Sequence, residues 1–288
     1  MAPHTIPTGL RGIARSLTHL FVFSSLFIAV CALVMIHQAN HLLQLEYDKF
    51  NFAVFVLFAT LCSYNFHWGL TTNTESTLVR LSWTNRHRNL HIVVFVVGAI
   101  GAGIYFFYFI EHWFVLSISV LLTFLYSAPK LSFLTFLRKV AVGKTIFLSM
   151  VWTYVTSVLP LLIDGRHWTT ADLLFCASRF FFIYSICILF DYRDRDWDRN
   201  EGIRSMITFL SERGVDRLFA GSLAAFMLLT AAMYFTGMQA LVVTLMLIPG
   251  LIMIPLYKIG KKNFSDYLYY IVLDGMMMLP AILTSIFT

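Results

Sequence analysis

Between Phe190 and Ser205 the chain reads FDYRDRDWDRNEGIRS, a run of charge inside a sequence that is 59% hydrophobic and only 12% charged. If this run is helical, Asp191, Asp194 and Asp198 stand at i, i+3 and i+7. At 3.6 residues per turn they fall within about 60° of arc, while Asp196 points away by about 140°. Three carboxylates on one face repel each other, and a divalent cation would relieve that repulsion. Mg²⁺ suits the pattern, since it is commonly held by one or two carboxylates together with substrate phosphates. A second reading uses the same residues: Asp and Arg alternate, as in a solvated juxtamembrane helix that neutralises itself. Spacing leaves both open. Downstream, Ile203, Met206, Ile207 and Leu210 repeat at helical spacing beside Arg204 and Arg213. They predict a short interfacial helix, either a lid over the aspartates or a plain connector.

The elements that position these groups are long apolar runs. Nine spans are expected, at about 17–36, 50–68, 91–110, 112–128, 144–163, 171–190, 217–236, 239–257 and 267–287. Some 20 apolar residues rising about 1.5 Å each cross a hydrocarbon layer roughly 30 Å thick. In that layer the backbone must satisfy its own hydrogen bonds, and the alternating strands of a membrane barrel are absent. The fold class is therefore all-α and polytopic. The first run exceeds the core of a signal peptide and reads as an uncleaved span. Cys31, Cys62, Cys176 and Cys187 lie in apolar runs without a CxxC pair, so they read as small hydrophobes and not as zinc ligands or disulfides. The two longest loops follow spans 2 and 6, and no linker interrupts the chain. Residues 1–288 are expected to form one domain, two four-helix halves plus a ninth helix.

Charge tests this partition. The odd count puts the termini on opposite sides, and one side then receives 18 of the 21 Lys and Arg residues. Lys49 and Arg166 fall opposite, and Arg179 falls within a span. Such asymmetry marks the N-terminus and long loops as cytoplasmic, and the absence of a transit peptide fits a bacterial inner membrane. The net charge of +6 reads as topology plus attraction to anionic lipid headgroups, or as a basin for an anionic ligand. Neither asks for nucleic acid. Arg179 and Asp274 lie at membrane depth, where charges face the bundle interior; they are expected either to pair or, with a shifted register, to let Arg179 snorkel.

The aspartate segment resembles the second aspartate-rich motif, D-x-x-D-x-x-x-D, of the UbiA-type intramembrane prenyltransferase superfamily. Tyr126-Ser127-Ala128-Pro129-Lys130, followed by Arg138, Lys139 and Lys144, is similar to that family's Tyr-Ser-x-Pro segment and basic loop. Nine spans with long loops after helices 2 and 6 extend the likeness over nearly the whole chain. The resemblance implies a bundle with a central cytoplasm-facing cavity that binds an allylic isoprenyl diphosphate through Mg²⁺. It implies transfer of the prenyl group to a lipid or aromatic acceptor. Asp191, Asp194 and Asp198 would hold the metal and diphosphate; Lys130, Arg138, Lys139 and Lys144 would neutralise the diphosphate.

The likeness breaks at the end of span 2. There the family places Asn-Asp and two further aspartates, whereas this chain carries Asn65, then Phe66, Gly69 and Asn73. Half of the expected carboxylate set is replaced by residues without charge. Asn65 and His67 are the candidates left to line that wall. Three functions follow: a divergent transferase, a binder of prenyl lipid or diphosphate without transfer chemistry, or a carrier or assembly factor.

Overall fold

A computed structural model describes residues 10–70, 79–127, 143–200 and 205–288. The expected Lys130, Arg138, Lys139 and Asn73 lie outside the described residues. Among those described, every element is helical: α1 (Leu10–Phe23), α2 (Leu26–Leu42), α3 (Lys49–Gly69), α4 (Val79–Arg86), α5 (Arg88–Tyr108) and α6 (Trp113–Ser127). There follow α7 (Lys144–Thr153) and α8 (Leu159–Asp164), joined by a π turn, then α9 (Thr170–Asn200), α10 (Met206–Phe209), α11 (Glu212–Ala232), α12 (Ala240–Gly260) and α13 (Asp274–Phe287).

Among the described residues seven helices are long and apolar enough to cross a membrane, with α7 and α8 counted together. The expected first span is instead a bent pair: α1 and α2 meet at 58°, and counting the pair as one span gives eight. The bend falls at Ser25, whose φ of 73° lies in the left-handed region, unusual for a residue with a Cβ. The expected fourth span is a helix, but α6 has only 15 residues. Among the described residues the count is thus seven or eight, and the expected nine is not confirmed. Each expected segment is helical over its described residues, the first bends at Ser25, and α6 is described to Ser127.

The bundle is apolar outside as well as inside. Val93, Val97, Ile100, Ile104 and Phe107 of α5 are all exposed, an outward stripe that suits lipid and not water. Helix α9 forms the axis, packing on α7 and α11 with Ile183, Ile188 and Leu189 fully buried. Helices α3 and α5 cross closely at Gly98, where an added Cβ would stand 2.7 Å from the backbone nitrogen of Cys62.

Arg179 explains itself through a proline. Pro160 has no N–H to give the carbonyl four residues back, which is that of Thr156. Arg179 Nη1 donates to the Thr156 carbonyl at 3.4 Å and to the Met35 carbonyl at 2.8 Å, and Nη2 donates to Gln38. Its guanidinium also lies 4.6 Å over the Phe175 ring. The expected Arg179–Asp274 pair is corrected: the charges acting on Asp274 are those of Arg80 and Arg193.

Candidate functional site

The segment after span 6 continues α9 helically to Asn200, so the 3.6-residue period sets the direction of each aspartate. Asp191 and Asp198 turn into the bundle, at 5% and 0% exposed, while Asp196 faces out. Asp194 sits between these extremes. Its side chain is 37% exposed, and Arg193 Nε donates to it at 3.1 Å. The shared face holds for two of the three carboxylates, and the third leans on its neighbouring arginine.

Lys144, the first residue of α7, meets the inward pair. Its Nζ lies 3.7 Å from Asp191 Oδ1 and 3.6 Å from Asp198 Oδ2. The Thr145 hydroxyl donates to Asp191 Oδ2. Asp198 is different: neither of its oxygens receives a hydrogen bond, although both are buried. Buried carboxylate oxygens without hydrogen-bond donors are rare, and here the charge is answered only by the Lys144 ammonium at 3.6 Å. Among the described residues no three His, Cys, Asp or Glu side chains converge as a metal cage. Asp191 and Asp198 are a smaller donor set that would hold a cation only with phosphate oxygens and water completing its shell.

Among the described residues of the segment, Arg195 and Arg199 are occupied in holding the fold. Arg195 donates to Glu212 and to the Leu210 carbonyl, and Arg199 donates to the Thr208 carbonyl at 3.0 Å. These bonds strap the end of α9 to α10 and α11. The expected interfacial helix is the four-residue α10, whose Ile207 is fully buried. It is docked onto the bundle through that side chain, and the expected Ile203 and Arg204 lie outside the described residues.

The opposite wall differs from expectation. Asn65 is 1% exposed and spends its amide internally. Its Nδ2 donates to the carbonyls of Leu61 at 2.8 Å and Ser24 at 3.1 Å, and its Oδ1 pairs with His91 Nδ1 at 2.6 Å. It ties α3 to the bend before α2 and to α5, so it supports the wall and offers no free atom to a ligand. His67 stacks on Tyr126 with ring centroids 5.1 Å apart. Tyr126 itself feels the charges of Lys144 and Asp191.

Sequence reasoning missed a further group. Arg80 of α4 is 4% exposed, and its guanidinium lies 4.0 Å over the Trp68 ring and 4.1 Å over the Tyr270 ring. Asp266 Oδ2 accepts the Arg80 backbone N–H at 2.8 Å. Tyr270 also receives Arg193, whose Nη2 donates to its hydroxyl at 2.8 Å. In sequence, Arg80 is one more basic residue of a loop; nothing local tells it from Arg86 or Arg88.

No protein-family model matches the chain, and no curated protein does. Solved structures do. A UbiA homologue from Aeropyrum pernix K1, in its apo form, aligns at a TM-score of 0.56 and 15% identity, covering 92% of this chain and 97% of that one. A structure described as bearing on the biosynthesis of digeranylgeranylglyceryl phosphate synthase in membranes aligns at 0.58 and 12%, covering 94% and 98%. Identities this low speak for architecture and not for chemistry. The architecture is plain: this chain adopts the UbiA-type intramembrane prenyltransferase fold.

Proposed function

We propose that the chain binds an isoprenyl diphosphate at the basic, cytoplasmic end of the bundle and transfers the prenyl group to a lipid or aromatic acceptor. The observation that supports this reading is Asp198, a fully buried carboxylate with neither oxygen hydrogen-bonded, set beside Lys144 and Asp191. A solvated helix would not bury that charge. The likeness in fold to UbiA-type proteins supplies the substrate class. In this reading residues 1–288 act as one bundle, with the N-terminus cytoplasmic and the inner membrane of a bacterium as its setting.

The chemistry asked of the site is modest. The allylic C1–O bond breaks, its electron pair leaves on the diphosphate, and an electron pair of the acceptor closes the new bond to C1 as the acceptor releases a proton. Lys144 places a positive charge where negative charge grows on the leaving oxygens, which commonly lowers such barriers by a few kcal/mol. The rings of Tyr126, Tyr64 and Trp152 offer π faces to the allylic cation; Trp152 Nε1 donates to the Tyr64 hydroxyl at 3.2 Å and fixes that pair. The apolar bundle keeps water from the cation. Asp191 and Asp198, with Asp194 at the rim, are the residues that would hold Mg²⁺. When bound, the metal would add charge against the leaving diphosphate.

The replacement of aspartates by Phe66, Gly69 and Asn73 favours a second reading, a binder of the same ligand without transfer. Incubation of native membranes with labelled geranylgeranyl diphosphate separates the two. Transfer releases inorganic diphosphate and leaves label in a new lipid. Tight binding with intact ligand supports the binder, and absence of both removes the reading altogether.

A further inference from the structure

The loss of the first aspartate set leaves one wall of the site without a means of holding a cation, and the structure places a cation there by other means. We propose that the Arg80 guanidinium takes the place of a second metal and meets the diphosphate directly from the α3–α4 wall. This inference rests on the diphosphate-binding reading above and names the group that wall contributes.

Arg80 Nε and Nη2 are buried without a hydrogen-bond partner. Among the described residues no carboxylate pairs with the guanidinium within 4 Å; Asp266 and Asp274 act on it only at longer range. Leaving a buried charged donor unmade is costly, so such a group is kept where an acceptor arrives. Arg179, another buried arginine, shows the contrast. Its Nη atoms donate to two carbonyls and to Gln38, and it serves the fold.

The surroundings of Arg80 suit a fixed anion clamp. Trp68 and Tyr270 lie within about the same distance of the guanidinium, 4.0 and 4.1 Å, and Phe23 lies at 5.8 Å. Rings at that range hold a guanidinium by cation–π attraction without consuming its N–H groups. The planar fork then remains free for two phosphate oxygens, a geometry that arginine matches better than lysine. Side-chain contacts link this place to Asp194 at the rim of the aspartate cluster. Tyr270 receives a hydrogen bond from Arg193, and Arg193 in turn pairs with Asp194. Arg193 Nη1 makes no hydrogen bond and lies 3.7 Å from Asp266 Oδ1, so a second guanidinium stands next to the same ring. The consequence is a site that needs at most one metal, on the Asp191–Asp198 side.

The test is equilibrium binding of radiolabelled farnesyl thiolodiphosphate to the purified full-length protein, in Mg²⁺ and in excess EDTA. Wild type is expected to keep measurable, weakened binding in EDTA. Arg80→Gln is expected to lose roughly 10- to 100-fold of that metal-free affinity, with Arg80→Lys in between. If Arg80→Gln does not fold, the wild type decides: inorganic pyrophosphate must displace the probe in EDTA. Wild-type binding that vanishes in EDTA, or an Arg80→Gln affinity equal to wild type, overturns the assignment and leaves the diphosphate reading standing. No binding in either condition overturns both.

Discussion

Lys144 holds apart two buried carboxylates, and its removal has a calculable consequence. Asp191 and Asp198 are 5% and 0% exposed, and Lys144 Nζ lies 3.7 and 3.6 Å from them. Breaking a buried ion pair from one side costs about 3–5 kcal/mol, because the remaining charge has no partner. Lys144 is 29% exposed and both distances exceed hydrogen-bond length, so water shares the screening. About 2–3 kcal/mol is the appropriate figure for Lys144→Met. For a chain of this size that corresponds to a fall in Tm of roughly 5–10 °C, read by intrinsic fluorescence of the detergent-purified protein. Removing one of the stranded charges should return much of the loss, so Lys144→Met with Asp198→Asn should melt above Lys144→Met alone. Millimolar Mg²⁺ should also raise the Tm of Lys144→Met more than that of wild type, because the metal then fills the ammonium's role. A Lys144→Met protein that melts with wild type, or a double variant that melts below the single, would refute this account of the cluster.

Arg179 is predicted to be coupled to Pro160. Pro160→Ala restores an N–H to the Thr156 carbonyl, so Arg179→Met should cost about 1 kcal/mol less in that background than in wild type, measured as a double-mutant cycle on thermal unfolding; strict additivity would rule the staple out. Gly98→Ala should destabilise by about 1–3 kcal/mol, since the new methyl meets the backbone of Cys62, and a Tm equal to wild type would contradict the close crossing. Asn65→Ala should lower stability by about 1–3 kcal/mol through the lost amide bonds and the stranded His91, while leaving diphosphate affinity within a few-fold. A selective loss of affinity at unchanged Tm would instead make Asn65 a ligand contact.

The membrane-spanning segments were legible because each follows from a long apolar run, whereas the short α4 lies where a loop was expected. The inward turn of Asp191 and Asp198 was legible too, since a seven-residue spacing repeats closely in a helix. What stayed hidden depends on pairs far apart in sequence. Nothing near Lys144 announces that it will sit between Asp191 and Asp198, and nothing near Arg80 announces Trp68 on one side and Tyr270 on the other. Asn65 matched a motif by type, yet its amide is consumed by Ser24, Leu61 and His91, a cost of tertiary packing that spacing does not reveal. The bend at Ser25 lacks a proline or glycine to signal it, so the first span read as straight. Arg179 could have been foreseen: a proline four residues beyond Thr156 frees a carbonyl that some donor must satisfy.

The central claim is that the buried Asp191–Asp198–Lys144 cluster receives a prenyl diphosphate, and Asp198→Asn tests it most directly. The substitution keeps shape and burial and removes only the charge that the structure leaves without a hydrogen-bond donor. In Mg²⁺, the affinity of the purified protein for farnesyl thiolodiphosphate should fall by about 10²-fold, the scale of losing one well-placed charge, while its Tm holds or rises. Equal affinity in Asp198→Asn and wild type would place the ligand elsewhere and return α9's aspartates to a structural role.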